Sequence, residues 1–334
     1  MTDRPLIVCF GEILLRLNAP GKERLLQTNR FDVHVGGAEA NVAVSLARFG
    51  RRARMVSIVA DNALGEAALG ELARHGVDIS FVERIAGRMG LYFMSAGAVR
   101  RPSEILYDRA SSAFALADPT FLNWPALLAD AGWLHISGVT PAIGPNGAEA
   151  AIRAVRAAEQ AGVKVSFDGN YRSQLWAAWK GDGPAILKQI LAAADLAFIN
   201  ERDIALILAR DFKDRADALK AAFDMFPRLQ TIAATERNQT SVDDHQLTAL
   251  LTTRSGEWRS RRHILTGVVD RIGGGDAFAA AMLDCLTSGK ESQYAVDFAA
   301  AAAAFKHSIS GDFNLASRDD IERAMSDAGL DVRR

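Results

Sequence analysis

Cysteine is scarce in this sequence, with only Cys9 and Cys285 among 334 residues. Two cysteines so far apart are too few to indicate a zinc cluster or a disulfide framework. Such low cysteine usage is typical of proteins of the reducing cytoplasm, and we therefore expect a cytoplasmic protein.

Long hydrophobic segments and an excess of charge of one sign are also missing. The densest apolar run, FAAAAAAF at 298–305, is far shorter than the ~20 residues that a membrane-spanning helix needs. Gly11 and Glu12 interrupt the apolar stretch near the start of the sequence, which does not suit a signal peptide. The 39 basic residues are balanced by 40 acidic ones and are spread along the chain. We therefore expect neither a membrane nor a nucleic acid as partner.

Short β-rich runs alternate with Ala-rich helical stretches from end to end. This pattern is typical of crossover units that build a mostly parallel sheet in an α/β protein. No internal repeat or Pro/Ser-rich linker divides the chain, so residues 1–334 are predicted to form one domain. The predicted strands are residues 6–10, 55–59, 133–137, 163–168 and 196–200.

Two segments have a clear helical pattern. Residues 148–162, AEAAIRAVRAAEQAG, end on a glycine, which is a common stop signal directly before a strand. Residues 36–50, GGAEANVAVSLARFG, place Val42, Leu46 and Phe49 at i, i+4 and i+7 on one helix face. Both segments are predicted to be packed helices.

Two other segments break the alternation of strands and helices. Residues 13–35 and 88–109 alternate apolar and polar side chains, with charges between them and no helix. They are predicted to form a small antiparallel sheet, which in an enzyme would act as a lid that excludes water. The pattern fits two ordinary hairpins at the edge of the main sheet equally well.

The most informative stretch is VVDRIGGGDAFAAAMLDCL at 268–286, where an apolar strand is predicted to run into three glycines and an Ala-rich helix. Gly273, Gly274 and Gly275 can expose backbone N–H groups, and such groups at a helix N-terminus bind anions. Asp276 follows at the helix start, where the helix dipole favours its ionised form. A carboxylate beside an anion site suits phosphoryl transfer, because the amides stabilise charge while the aspartate accepts a hydroxyl proton.

The same stretch has a simpler interpretation, in which Asp276 is only a helix N-cap and the glycines only a tight turn. It is neither a Walker A loop nor a Rossmann fingerprint, because it lacks the Gly-Lys-Ser/Thr ending and the G-x-G-x-x-G spacing. Spacing alone therefore leaves the function open.

Two segments together resemble a known family. DRIGGGDAF at 270–278 resembles the C-terminal signature of PfkB carbohydrate kinases, D-T-x-G-A-G-D, and residues 36–50 resemble their N-terminal Gly-Gly signature. Arg271 and Gly274 stand where the commonest signature has Thr and Ala. The resemblance implies a ribokinase-like three-layer α/β/α sandwich with a small β-sheet lid. It also implies ATP and Mg²⁺ as cofactors and a homo-oligomer formed through the lid, and it leaves a monovalent-cation requirement open.

Residues 11–17, 36–41, 101–114 and 168–176 resemble the 2-keto-3-deoxygluconate kinase branch of this family. The substrate of that branch carries a carboxylate, which arginine neutralises best through two parallel hydrogen bonds. The resemblance implies a substrate site formed by Arg109 and Arg172 at the carboxylate and keto end, with Gly36, Gly37, Asn41, Tyr92, Tyr107 and Asp312 around the rest of the sugar.

Each of these residues also has a structural interpretation. Arg109 follows Asp108, and Arg172 comes four residues after Asp168, so both arginines fit ordinary surface ion pairs. The two tyrosines fit packing positions on a half-buried sheet. Asn41 fits a solvent-facing helix position, and the Gly/Ser-rich segment before residue 312 fits a turn or a helix cap.

For the nucleotide, the resemblance implies Asn170, Asn200, Thr235, Arg237 and His307 as contacts. Asn200 and Asp203 resemble the Asn-x-x-Glu element that holds Mg²⁺ through water in this family, with aspartate in place of glutamate. A shorter carboxylate still suits a hard cation that keeps most of its waters. The glycine that is common near Thr235 in the family is absent here, and His307 also fits a helix-capping role.

The expected reaction is transfer of the ATP γ-phosphate to the 6-hydroxyl of 2-keto-3-deoxy-D-gluconate, which gives the 6-phosphate. Asp276 is the expected base, and the amides of Gly273, Gly274 and Gly275 form the expected anion hole. The alternatives are another PfkB activity, namely fructokinase, ribokinase or 2-keto-3-deoxygalactonate kinase, and a non-catalytic sugar-binding sensor.

Overall fold

The computed structural model describes residues 5–239 and 241–326, which contain fourteen strands and thirteen helices. The strands are β1 (Leu6–Phe10), β2 (Leu14–Asn18), β3 (Asp32–Gly36), β4 (Ala53–Ala60), β5 (Asp78–Ile85), β6 (Gly90–Ser95), β7 (Glu104–Asp108), β8 (Ala131–Ser137), β9 (Lys164–Asp168), β10 (Leu196–Phe198), β11 (Thr231–Gln239), β12 (His245–Thr253), β13 (Glu257–Arg259) and β14 (His263–Leu265). The helices are α1 (Ala38–Arg48), α2 (Ala63–Arg74), α3 (Ala113–Leu116), α4 (Trp124–Leu127), α5 (Val139–Ala142), α6 (Pro145–Gln160), α7 (Ser173–Trp179), α8 (Gly183–Ala192), α9 (Glu201–Leu208), α10 (Arg215–Met225), α11 (Gly274–Thr287), α12 (Ser292–Lys306) and α13 (Arg318–Met325).

Ten of these strands form the main sheet, in the order β13-β12-β11-β10-β9-β8-β1-β4-β5, with β14 beside β12. Neighbours from β11 to β5 are parallel, and the pairings of β12 with β11, β13 and β14 are antiparallel. The prediction of a mostly parallel sheet is confirmed. All five predicted strands correspond to strands of this sheet, namely β1, β4, β8, β9 and β10.

Apolar side chains of the central strands cover both faces of the main sheet. In β1, Ile7 and Cys9 pack into one hydrophobic cluster while Leu6, Val8 and Phe10 pack into another. Successive side chains of a strand point to opposite faces, so a strand that is apolar throughout must be covered on both sides. The two clusters are completed by helices, which gives the expected three-layer α/β/α arrangement.

The two predicted helices correspond to α1 and α6, and each ends two residues before its terminal glycine. Cys9 and Cys285 are both buried as free thiols, as expected for a chain without a disulfide framework. Within the part of the chain that the structure describes, no helix is long and apolar enough to cross a membrane.

The two segments that break the alternation contain the four strands of a second sheet, ordered β3-β2-β6-β7, which we call the small sheet. The prediction of an antiparallel arrangement is wrong at its centre, because β2 and β6 are parallel. The reason lies in the connections. Strands β1 and β5 run in the same direction in the main sheet, so their C-terminal ends lie on the same side of it. Short segments lead from these ends into β2 and β6, which therefore start on the same side and run in the same direction.

A second correction concerns the residues before the three glycines. The predicted apolar strand is absent there, because β14 ends at Leu265 and residues 266–273 form a loop. The backbone N–H of Val268 donates to Asp243 O and that of Val269 donates to His307 O. These groups are therefore satisfied by neighbouring loops and a helix end rather than by a strand.

Candidate active site

A cavity of about 830 Å³ lies between the C-terminal ends of the main strands, the inner face of the small sheet and the glycine turn before α11. This is where parallel α/β sheets bind ligands, because loops from several strand ends converge there. We call it the first cavity. The residues predicted for the site that line it are Gly37, Asn41, Tyr92, Tyr107, Arg109, Asn170, Arg172, Arg237, Gly273, Gly275, Asp276 and Asp312.

A second cavity, of about 530 Å³, lies beside β11 and the end of α12. Four residues predicted to contact the nucleotide line it, namely Asn200, Thr235, Arg237 and His307, together with Gly274 of the turn. Asn170, also predicted for the nucleotide, lines the first cavity instead. Among the described residues, only Arg237, Arg271 and Gly275 border both cavities, so the two cavities meet at the glycine turn.

The glycine turn has a backbone that other residues would not adopt without overlap. Gly273 is the N-cap of α11 and has φ of 80° in the left-handed region. A Cβ at this position would overlap the carbonyl oxygen of Asp312. At Gly275 a Cβ would meet no atom within 4 Å, which leaves its backbone open to both cavities. Since Gly273 is the N-cap, the alternative that Asp276 fills that position is wrong.

Asp276 is the third residue of α11, and its side chain faces the first cavity. Asn41 Nδ2 of α1 donates to Asp276 Oδ2 at 2.6 Å. Burial raises the pKa of Asp276 to about 7, against the hydrogen bond from Asn41 and with help from the nearby carboxylate of Glu39. A carboxylate with a pKa near neutrality suits a general base, because it is largely available to take a proton at physiological pH.

Asp168 is a second carboxylate on the first cavity, at the end of β9. Burial raises its pKa to about 8, the charge of Asp276 adds to the rise, and Arg172 opposes it. The two carboxylates therefore influence each other's ionisation, and the cavity wall carries less negative charge than its sequence suggests.

Arg16 of β2 joins the small sheet to the loops around the glycine turn. Its guanidinium is 1% exposed and pairs with Asp270, with Nη2 at 2.5 Å from Oδ2, while its Nε lies 3.1 Å from Asp312 Oδ1. The Tyr92 hydroxyl donates to Asp312 Oδ2 at 2.7 Å. Gly36 lies against the same carboxylate, because a Cβ there would overlap it. The buried Asp312 thus holds the shape of the cavity wall rather than standing free in a turn.

Glu12, just after β1, holds Arg109 in place. Arg109 Nε donates to Glu12 Oε2 at 2.6 Å, and the Ser112 hydroxyl donates to Glu12 Oε1. The neighbouring Asp108 pairs with Arg88 instead. Arg109 is therefore a buried ion-paired residue at the cavity wall, and the interpretation of Arg109 as the surface partner of Asp108 is wrong.

Arg172 differs from Arg109 in having no carboxylate partner among the described ion pairs. It is exposed at the start of α7 and lines the first cavity, where its Nη1 donates only to the carbonyl of Tyr171 at 3.4 Å. Its alternative pairing with Asp168 is not formed. The guanidinium remains available to an anion in the cavity.

Asn41 and the two tyrosines face the first cavity as well. Asn41 is 3% exposed, so the solvent-facing alternative is wrong. Tyr92 and Tyr107 are partners in the register of β6 and β7, and their ring centroids are 6.4 Å apart. The pair forms part of the cavity wall and also packs within the small sheet.

On the nucleotide side, Asn200 and Asp203 form a capping box at the start of α9. Asn200 Oδ1 accepts from the backbone of Asp203 at 3.1 Å, and Asp203 Oδ2 accepts from the backbone of Asn200 at 2.9 Å. No described hydrogen bond uses Asp203 Oδ1. Within residues 5–239 and 241–326, no group of three or more His, Cys, Asp or Glu could hold a metal directly. A single free carboxylate oxygen fits Mg²⁺ only as an ion that keeps most of its waters.

His307 caps the C-terminus of α12 and borders the second cavity. Its Nδ1 lies 2.7 Å from Ala303 O, which requires the proton on Nδ1, and its buried Nε2 has no partner. Burial lowers the pKa of His307 to about 4, so the ring is neutral at physiological pH. Nε2 is therefore a free hydrogen-bond acceptor in the cavity wall.

Comparison with known proteins identifies the class. The model of the family described as "pfkB family carbohydrate kinase" matches residues 4–315 of this chain. A 2-dehydro-3-deoxygalactonokinase of Haloferax volcanii is 32% identical over 97% of this chain and 98% of its own length. The crystal structure of a 2-dehydro-3-deoxygluconokinase of Thermotoga maritima is 36% identical, covers 97% of this chain and 98% of its own, and has a TM-score of 0.90.

A PfkB family carbohydrate kinase of Listeria grayi gives a TM-score of 0.91 at 34% identity, over 96% of this chain and 100% of its own. The chain belongs to the pfkB family of carbohydrate kinases. The expected ribokinase-like fold and the resemblance to sugar-acid kinases are both confirmed.

The sequence analysis missed five polar residues of the site, which are Glu12, Arg16, Asp168, Asp270 and Arg271. Two of them carried a usable signal. Arg16 is a charge in an otherwise apolar part of β2, and Asp168 ends a buried strand at the ligand-binding edge. The roles of the others follow only from contacts between distant parts of the chain.

Proposed function

We propose that this carbohydrate kinase transfers the γ-phosphate of ATP to the 6-hydroxyl of 2-keto-3-deoxy-D-gluconate. The observation that carries the proposal is the position of Asp276. Its carboxylate lines the first cavity, while the backbone of the adjacent Gly275 is open to both cavities. A hydroxyl in the first cavity and a phosphate in the second can therefore meet beside a base and an anion site.

In the proposed reaction, Asp276 accepts the proton of the sugar hydroxyl, and the oxygen attacks the γ-phosphorus as the bond to ADP breaks. Asn41 orients the carboxylate through its 2.6 Å hydrogen bond. The N–H groups at the start of α11 stabilise the charge of the transferring group, aided by the helix dipole. Mg²⁺, held through water by Asp203, would neutralise phosphate charge.

The two arginines of the first cavity support a sugar acid as substrate. Arg172 has no carboxylate partner in the part of the chain that the structure describes, and Arg109 is fixed by Glu12 so that its orientation does not have to be set by the ligand. A neutral sugar would leave Arg172 facing no anion. Two of the relatives described above are named for keto-deoxy sugar acids, and this agrees with a carboxylate-binding cavity.

The galactonate epimer is the second candidate substrate, because the Haloferax relative is named for it and matches almost the full chain. The epimers differ only in the orientation of one hydroxyl, so the same arginines would serve both. Fructose and ribose, by contrast, would make no use of them.

The test is coupled ADP release with Mg-ATP and a panel of both keto-deoxy acids, gluconate, fructose and ribose. A preference of the enzyme for the keto-deoxy acids supports the proposal, and the ratio of kcat/KM for the two epimers decides between them. A preference for a neutral sugar would contradict it. Ligand binding without ADP release would indicate the sugar-sensor alternative.

We also propose a cytoplasmic homo-oligomer formed through the outer face of the small sheet. Leu17 lies in register with Val33 and Phe93, and Phe93 in register with Leu106, so one apolar row crosses all four strands. Val33 and Leu106 are 57% and 50% exposed. A second copy of the chain would cover this row with the same surface.

A further inference from the structure

Two arginines converge where the cavities meet. Arg271 lies in the loop two residues before Gly273, and Arg237 lies on β11. Both border both cavities, together with Gly275. Burial lowers the pKa of Arg237, and the positive charge of Arg271 lowers it further.

Neither arginine takes part in any ion pair or side-chain hydrogen bond among the described residues. Other arginines in this region do have carboxylate partners, since Arg215 pairs with Glu257 and Arg259 pairs with Glu236. Two like charges held together without a carboxylate destabilise the free protein and are offset when an anion binds between them. The junction is therefore suited to a polyanionic group with planar oxygens.

We propose that Arg271 is a catalytic residue that binds the transferring phosphoryl group as it passes between the cavities. The inference rests on the proposed phosphoryl transfer, but on no particular sugar. As the phosphorus forms its bond to the sugar oxygen and loses its bond to ADP, negative charge is spread over its three remaining oxygens. Arg271 donates hydrogen bonds to these oxygens and moves no proton, because a guanidinium stays charged.

The position explains why a departure from the family signature is useful here. Threonine, the commonest residue at this place in the signature, would bring no charge to the junction. Arg271 is exposed and has no described partner, so its substitution removes no contact that stabilises the fold.

The test compares Arg271→Thr and Arg271→Lys with the wild type and with Arg156→Met, which removes an exposed charge on α6, a helix that lines neither cavity. We expect kcat of Arg271→Thr to fall about a hundredfold, as for the loss of one oxyanion donor, with little change in KM for either substrate. Arg271→Lys should recover part of this loss, and Arg156→Met should match the wild type. An unchanged kcat, or a raised KM for the sugar acid alone, would overturn the assignment.

A binding measurement separates this inference from the proposed function. Calorimetry with Mg-ADP, with and without fluoroaluminate as a planar mimic of the phosphoryl group, requires no sugar. The wild type should bind Mg-ADP more tightly when fluoroaluminate is present, and Arg271→Thr should lose this gain while keeping its affinity for Mg-ADP. If the wild type phosphorylates none of the sugars but this difference appears, the proposed function fails and the role of Arg271 stands. If Arg271→Thr phosphorylates the sugar acid as fast as the wild type, the proposed function stands and the role of Arg271 fails.

Discussion

Asp276 is the residue on which the proposed chemistry depends. Asn has the same shape and can keep a contact to Asn41, but it cannot accept a proton. We expect Asp276→Asn to lower kcat by about 10²- to 10⁴-fold, while the sugar acid still binds. Coupled ADP release and calorimetry with the sugar acid measure the two effects. Turnover above a few per cent of the wild type would contradict the assignment of Asp276 as base.

The pKa of about 7 at Asp276 predicts a pH profile. The base must be ionised, so kcat should rise with pH through about 7 and then level off. Asn41 donates to the ionised carboxylate and lowers its pKa, so Asn41→Ala should move the rising limb to higher pH. The position of the limb, rather than the height of the plateau, is the measurement. An unmoved limb would show that another group controls it.

The sequence indicated the residues whose roles follow from local pattern and missed those whose roles follow from distant contacts. Asp276 stands directly after three glycines, so its place at a helix start could be inferred from neighbouring residues. Arg16 and its partner Asp270 are separated by 254 positions, and nothing in the neighbourhood of either one indicates the other.

At the scale of elements, the buried strands were predictable because burial on both faces requires an uninterrupted apolar run. The parallel pairing of β2 with β6 was not predictable, because it depends on the side of the main sheet at which β1 and β5 end. The loop at 266–273 was mistaken for a strand, because two valines mimic an apolar run while their backbone groups bond to other loops.

The junction between β2 and the glycine turn predicts a stability effect. Arg16→Met leaves the buried carboxylates of Asp270 and Asp312 without their cation, which should lower the free energy of unfolding by about 3–5 kcal/mol. Arg153→Met, which breaks an exposed pair with Glu149, should cost only about 0.3–0.5 kcal/mol.

Urea unfolding of the two variants measures this difference. Adding Asp270→Asn to Arg16→Met should recover part of the lost stability, because it removes one of the uncompensated charges. Equal stabilities of Arg16→Met and Arg153→Met would contradict the structural role of the pair.

At the scale of the whole molecule, the apolar row on the small sheet predicts the assembly state. The wild type should have a molar mass of at least twice 36.0 kDa by light scattering. Val33→Lys and Leu106→Glu should shift it toward a single chain, because each places a charge in the row. Leu116→Glu, at an exposed apolar position outside the small sheet, is the control. A wild type with the mass of one chain would contradict the proposal.

The contact of Arg16 with both Asp270 and Asp312 also restricts how this enzyme can evolve. A lone change of Arg16 leaves two buried carboxylates without this partner, and a lone change of either aspartate takes away one partner of the buried guanidinium, so selection would remove each before a second change could compensate it. Substitutions at these positions should therefore be inherited as a set. Descendants of a common ancestor are expected to keep all three residues or to have exchanged them together, so that positions 16, 270 and 312 covary across the family tree.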